Sequence, residues 1–257
     1  MHHDDFGGLD RDLAATGAAM KRRDLLRFAL GAGMIHLLGC GDSAGPSDGG
    51  ACTTIPRETA GPFPGDGSNG PNVLSLAGVV RSDIRSSFGG LTGTAAGIPL
   101  TVTLSVVAAG DCTPMSGAAV YIWHCDRGGL YSLYSAGATN QNYLRGVQAA
   151  GANGQVSFTS IFPACYAGRW PHIHFEVYQN LAAATAVGNK IATSQLALPK
   201  SVCDTVYATA GYSASVNNLA GVSLASDGVF GDGSSHQVAT MSGDVTNGFV
   251  ATLTVPV

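Results

Sequence analysis

Two histidines flank one isoleucine at His172-Ile173-His174, at the head of an alternating run that continues to Tyr178. On a strand, residues i and i+2 point to the same face. Both imidazoles then project side by side and can clasp one metal ion. The pattern alone leaves the metal open, since an H-x-H on a strand also occurs by chance, in zinc enzymes and in cupin-like iron sites. Other residues with chemistry lie nearby in sequence: Tyr131 in Gly129-Leu130-Tyr131, Tyr166 in Pro163-Ala164-Cys165-Tyr166, Arg169 just before the histidines, and Gln195 in Thr193-Ser194-Gln195-Leu196. Each has an ordinary reading as well. A tyrosine commonly sits at a sandwich rim with its hydroxyl in water, an arginine pairs with a surface carboxylate, and a glutamine is an unremarkable strand residue.

Taken in order, the set G-x-Y, P-x-x-Y and R-x-x-H-x-H resembles the intradiol ring-cleavage dioxygenases, the catechol and protocatechuate dioxygenase family. The resemblance spans about residues 53–200, from Thr59-Ala60-Gly61-Pro62-Phe63 onward. It implies that Tyr131, Tyr166, His172 and His174 bind one Fe(III), that Arg169 stabilises negative charge developing on the reacting ring, and that Gln195 orients the reacting species by hydrogen bonding. The implied partners are a catechol-type small molecule and O2, and the implied product is a cis,cis-muconate-type diacid, opened between the two hydroxylated carbons. The donor set is chemically coherent. Ferric iron is hard and prefers phenolate over thiolate, and a cation beside a phenol pulls it down from its ordinary ~10. Two phenolates and one hydroxide balance Fe(III), so the centre can sit inside an apolar sandwich without burying net charge. A catechol that loses two protons gives one to the hydroxide and the other to a phenolate. The family reading makes that phenolate Tyr166, opposite His174, while Tyr131 and His172 stay in place. Two departures stand out. The Tyr166–His172 segment is shorter than in the soluble catabolic enzymes, which implies a more open or differently shaped mouth, and their helical dimerising N-terminal region is absent. Both point to a secreted branch. Two rival readings are a zinc or Fe(II) enzyme built on the histidines alone, and a non-catalytic surface module for carbohydrate or protein partners.

The elements needed to hold these residues read as strands. Alternation marks Leu100–Val107, Gln155–Phe162, His172–Tyr178, Ile191–Leu198 and Phe249–Val257, and Ala118–His124 is continuously apolar like a core strand. Turns at 108–117, 151–154 and 226–233 separate them. The fold expected is all-β: an antiparallel β-sandwich with an irregular N-terminal wrap over 51–98 and few short helices, one of them at 200–208 after Pro199. No repeat or second-domain boundary is visible, so 53–257 is read as one domain. Among the remaining candidates, His124 is a core histidine or lies behind the ligands, Tyr134 and Tyr143 are packing residues, Arg145 is structural, Cys165 belongs to a disulfide or the core, and His236 lies in a turn. The loops 53–98 and 133–146 carry substrate specificity but no readable code.

The N-terminal region reads as an address. Lys21-Arg22-Arg23 precedes an apolar run, Phe28 to Leu38, too short to span a bilayer. Arg22-Arg23 resembles a twin-arginine signal and Leu37-Leu38-Gly39-Cys40 a lipobox. Residues 1–39 are therefore expected to be an export signal, with Met20 as an alternative start, and 40–52 a flexible tether. The expected location is the cell envelope or the exterior, with membrane contact only through a lipid on Cys40. Without Cys40, five cysteines remain, enough for two disulfides and one free thiol. The chain has 257 residues with 13 basic, 17 acidic and 45% hydrophobic side chains, and 36 glycines with 11 prolines. Such a chain is too apolar for disorder and too turn-rich for a coiled coil. Its net charge of −4 without a basic cluster in the body argues against nucleic acid.

Overall fold

The computed structural model of the chain describes residues 52–257. The expected export signal, Cys40 and all but the last residue of the tether lie outside the described residues. Eight strands form: β1 (Pro99–Val107), β2 (Ala119–Trp123), β3 (Arg145–Ala149), β4 (Gln155–Ile161), β5 (His172–Tyr178), β6 (Lys190–Ala197), β7 (Thr240–Asp244) and β8 (Gly248–Pro256). They make two four-stranded sheets, β4-β1-β8-β7 and β3-β2-β5-β6. Every pairing is antiparallel except β1 with β8, which run parallel along Leu100–Val107. The all-β sandwich expected from the sequence is the fold observed. The region 53–98 forms only isolated bridges, as a wrap should. Two helices follow β6: α1 (Lys200–Tyr207), placed as expected after Pro199, and α2 (Ser213–Ala220), which the sequence did not announce.

The alternation of period two explains how the sheets meet. Val102, Leu104 and Val106 of β1 and Phe158 of β4 pack against Val120, Ile122, Ile173, Phe175 and Leu196 of the other sheet. In β2 and β5 the remaining residues are buried too. Their outer face carries Tyr121, Trp123, His174, Glu176 and Tyr178, with Trp123 opposite His174 and Tyr121 opposite Glu176 in register. A second apolar cluster roofs this face: Val73, Leu74 and Val79 from the wrap, with Tyr131 from the loop after β2. The histidine pair therefore lies on the outer face of one sheet, under the wrap. This corrects the expectation of a centre inside the sandwich: Ile173 and Phe175 face the opposite sheet, so the histidines that alternate with them must face away.

Cys52 and Cys112 form the single disulfide among the described residues; Cys125, Cys165 and Cys203 are free and buried. The bridge closes a separation of 60 residues and ties the start of the wrap to the turn after β1. Chain-entropy arguments put a loop of that length at about 4 kcal/mol of stabilisation. Reduction is expected to lower the midpoint of thermal unfolding by roughly 10 °C, read by circular dichroism with and without a reductant; an unchanged midpoint would show that the wrap is held without it.

Candidate metal centre

The four side chains singled out by the sequence meet at one point. His172 and His174 project from β5 with their Nε2 atoms 3.1 Å apart. The Nδ1 of His172 lies 2.5 Å from the Trp170 carbonyl oxygen. A carbonyl only accepts, so that nitrogen carries the hydrogen and Nε2 keeps its lone pair toward the cluster. The indole of Trp123, register partner of His174, stacks on its imidazole at 4.8 Å and 4°. Burial, reinforced by Arg169, pushes His172 down to about 3. Burial and then His172 push His174 well below the ordinary histidine range. Both rings are neutral, the form that ligates metal.

Tyr131 arrives on a tight loop. Asp126 accepts from the Gly128 and Leu130 amides, and the Ser135 hydroxyl accepts from the Tyr131 amide. Gly129, at φ +87°, has a second reason to lack a side chain: a Cβ there would lie 3.3 Å from the Cβ of Tyr166. Tyr166 is set by α2, whose Ser215 hydroxyl accepts from the Cys165 amide and whose Asn218 amide donates to the Cys165 carbonyl. Gly168, at φ +81°, then turns the chain toward Arg169 and β5. The Tyr131 oxygen lies 3.3 Å from His172 Nε2, the Tyr166 oxygen 3.3 Å from the same nitrogen, and the two phenol oxygens 3.5 Å apart. Two donors held about 2.1 Å from one transition-metal ion, at angles between square and tetrahedral, stand roughly 3.0–3.4 Å apart. The spacings fit a shared metal. So does His174, whose buried Nδ1 has no protein partner, leaving it no tie other than through Nε2 and its stacking. Of the four donors, Tyr166 is the partly exposed one; Tyr131, His172 and His174 are buried.

Arg169 and Gln195 lie beside this point and touch each other. The arginine's Nη2 donates to Gln195 Oε1 at 2.6 Å, and Gln195 Nε2 donates to the Thr59 carbonyl at 2.9 Å. Gln195 sits directly opposite His174 in the β5–β6 register. Both are fully buried, so neither the surface ion pair nor the casual strand residue describes them. The other sequence candidates fall into place. His124 is satisfied in the core by the Cys125 carbonyl and the Ser160 hydroxyl, each at 2.7 Å. Cys165 is a core thiol, and the Tyr143 hydroxyl donates to Asp126. Arg145 is structural, as expected. Its buried guanidinium donates to the Phe63, Pro64 and Ser132 carbonyls, clasping the wrap to the loop that carries Tyr131, and Tyr134 lies across it at 5.5 Å.

A family model described as Dioxygenase matches residues 69–172, the stretch that holds Tyr131, Tyr166, Arg169 and His172. An intradiol ring-cleavage dioxygenase from Tetranychus urticae superposes with a TM-score of 0.63 at 24% identity, over 80% of this chain and 94% of that one. A second solved structure, dioxygenase Tetur07g02040, gives 0.60 at 25% identity over the same shares, 80% and 94%. The chain is thus similar, in fold and over the stretch the family model matches, to the intradiol ring-cleavage dioxygenases. A catechol 1,2-dioxygenase from Acinetobacter also aligns, with a TM-score of 0.44 at 21% identity, over 79% of this chain and 61% of that one. No curated protein matches. Around this centre stand residues that the sequence reading passed over. Trp123 stacks on His174, Trp170 lends its carbonyl to His172, and Asp227 pairs with Arg169 at 3.0 Å. The first had a signal in hindsight, a tryptophan on the strand paired with H-x-H; Asp227 had none, since it stands in an ordinary turn sequence.

Proposed function

We propose that Tyr131, Tyr166, His172 and His174 hold Fe(III), and that the enzyme uses O2 to open a catechol-type ring between its two hydroxylated carbons, giving a cis,cis-muconate-type diacid. The observation that carries this reading is the convergence of two phenol oxygens and two imidazole nitrogens at 3.1–3.5 Å beside a buried arginine and glutamine. A zinc or Fe(II) site built on the histidines alone leaves the two phenols without a purpose at the same point. When bound, ferric iron supplies the Lewis acidity that gathers both catechol oxygens and makes the ring reactive toward O2. The protein's own part follows from its geometry. Tyr166 takes a catechol proton at its phenol oxygen; as the partly exposed donor it has room to turn toward solvent. Tyr131 and His172, buried and tied at their backbones and at Nδ1, stay fixed. Arg169 and Gln195 present donors to charge developing on the ring, in a site whose burial strengthens each interaction.

The test is ferric loading of the purified chain followed by oxygen uptake against catechol, protocatechuate, hydroxyquinol and larger phenolics, with product spectra. The expected protein is wine-red, because phenolate-to-iron charge transfer absorbs visible light, and its products absorb as muconates. A protein that stays colourless and inactive after ferric loading overturns the reading. We also propose that the chain is exported and held at the cell envelope by a lipid on Cys40, on the strength of Arg22-Arg23 and Leu37-Leu38-Gly39-Cys40. Fatty-acid labelling of the expressed protein, lost in Cys40→Ala, is the expected outcome; labelling that persists in that variant contradicts it.

A further inference from the structure

Asp227 lies between α2 and β7, 58 residues along the chain from Arg169. It is 2% exposed, and both of its oxygens are engaged. Oδ2 accepts from Arg169 Nε at 3.0 Å and from the Trp170 amide at 2.6 Å. Oδ1 accepts from the Val229 amide at 2.8 Å and the Phe230 amide at 3.0 Å. The second pair ties the carboxylate to its own loop. The first pair leads into the site by two separate routes. Along one, the guanidinium held at Nε donates through Nη2 to Gln195 Oε1, and Gln195 is held in turn by the Thr59 carbonyl. Along the other, the residue held at its amide, Trp170, offers its carbonyl to His172 Nδ1. One carboxylate thus holds directly the arginine beside the site and stands a single residue away from the histidine that touches the three other donors.

We propose that Asp227 is the positioning residue of this centre. It fixes the plane of the Arg169 guanidinium, and through Trp170 it fixes the ring orientation and tautomer of His172. The half that concerns Arg169 and turnover rests on the intradiol reading; the half that concerns His172 rests on the hydrogen bonds alone. A buried ion pair with no such role is replaceable by other packing, so stability by itself does not decide the matter. Asp227→Asn does. If its carbonyl oxygen keeps the Val229 and Phe230 amides, its NH2 faces Arg169 Nε–H and the Trp170 amide, donor against donor, and one of them must move.

The experiment compares wild type, Asp227→Asn, Arg169→Gln and the double variant, each as the full chain loaded with ferric iron. Misplacing a group by about 1 Å costs on the order of 10²-fold. The expected result is a fall in kcat per bound iron of that size in Asp227→Asn, with KM changed less than about threefold because Arg169 acts on the transition state. The Arg169 background should absorb most of that loss, since Asp227 acts through it. Two readouts are independent of turnover. The Arg169 Nε–H resonance, protected from solvent exchange in the wild type by its buried bond to Asp227, should vanish or move in the metal-free variant, and the visible phenolate band should shift in the loaded one. Asp227→Ser, which keeps one acceptor and loses the charge, replaces the asparagine variant if that one does not fold. Wild-type kcat per iron with an unmoved band and Nε–H resonance overturns the proposal, whatever the change in melting temperature. Losses that multiply in the double variant overturn the route through Arg169. Should the wild type itself cleave no catechol, the intradiol reading fails, and the Nε–H resonance of the metal-free protein still decides the positioning role.

Discussion

His172→Ala is expected to give a folded, colourless protein that retains no stoichiometric ferric iron and loses turnover by at least about 10³-fold, the scale of the several kcal/mol that a bound metal supplies. The reason is geometric. His172 Nε2 is the atom from which Tyr131, Tyr166 and His174 all lie within 3.3 Å, so its removal takes away the donor that every other donor adjoins. It is also the donor with the most firmly fixed lone pair, because Nδ1 is committed to the Trp170 carbonyl. The cost to the fold is smaller. One buried hydrogen bond and its orphaned carbonyl amount to roughly 1–3 kcal/mol, and the outer-face cluster of Val73, Leu74, Trp123 and Tyr178 remains. Iron per chain by atomic absorption, the visible spectrum and far-ultraviolet circular dichroism separate the two effects. A variant that keeps one iron per chain and its colour would remove His172 from the ligand set.

The contrast between what the chain announces and what it hides follows from the range of each signal. Alternation is local, so β5 and β6 were readable, and with β5 the shared face of His172 and His174; that Gln195 stands opposite His174 is a matter of register that the structure supplies. Alternation does not say which face meets the other sheet. That is decided by Ile173 and Phe175 finding Val120 and Ile122 across the sandwich, and it puts the centre outside, where the sequence reading had put it inside. Nor does alternation give direction, and the parallel β1–β8 pair went unseen for that reason. β3 was missed because Arg145-Gly146 interrupts any apolar rhythm, although Arg145 is buried. β7, Thr240–Asp244, is largely exposed and offers one large apolar residue, Met241. The positions of Tyr131 and Tyr166 were legible only as a motif. What brings their oxygens within 3.5 Å is the local Asp126 turn together with two long-range ties, the α2 clasp on Cys165 and the Arg145 clasp on the wrap. Asp227 is the limiting case: its partners Arg169 and Trp170 are distant in sequence, and its own neighbours Ser226 and Gly228 describe nothing beyond a turn.

Tyr166→Phe separates holding the metal from using it. The variant is expected to keep iron, since Tyr131, His172 and His174 remain and are the three buried donors, while its turnover falls by about 10²–10⁴-fold, the range for losing a positioned proton acceptor. On the proposed reading a catechol sheds two protons to bind through both oxygens, and the partly exposed Tyr166 oxygen is the acceptor with room to leave. Tyr131 cannot substitute: it is 2% exposed, its ring is packed by Phe63 at 4.9 Å, and its amide is held by Ser135. Removing the Tyr166 hydroxyl keeps the ring that packs edge-on against Tyr131 and His172, so the loop should stand and the change should be chemical. The visible band should weaken rather than disappear, because one of two phenolate donors persists. Substrate binding, followed by the change in that band on mixing with catechol, should slow in proportion to the loss of kcat and recover in part as pH rises, when solvent base takes the proton instead. Full turnover in this variant would mean that the second proton leaves by another path, and Tyr166 would then be an anchor of the metal and nothing more.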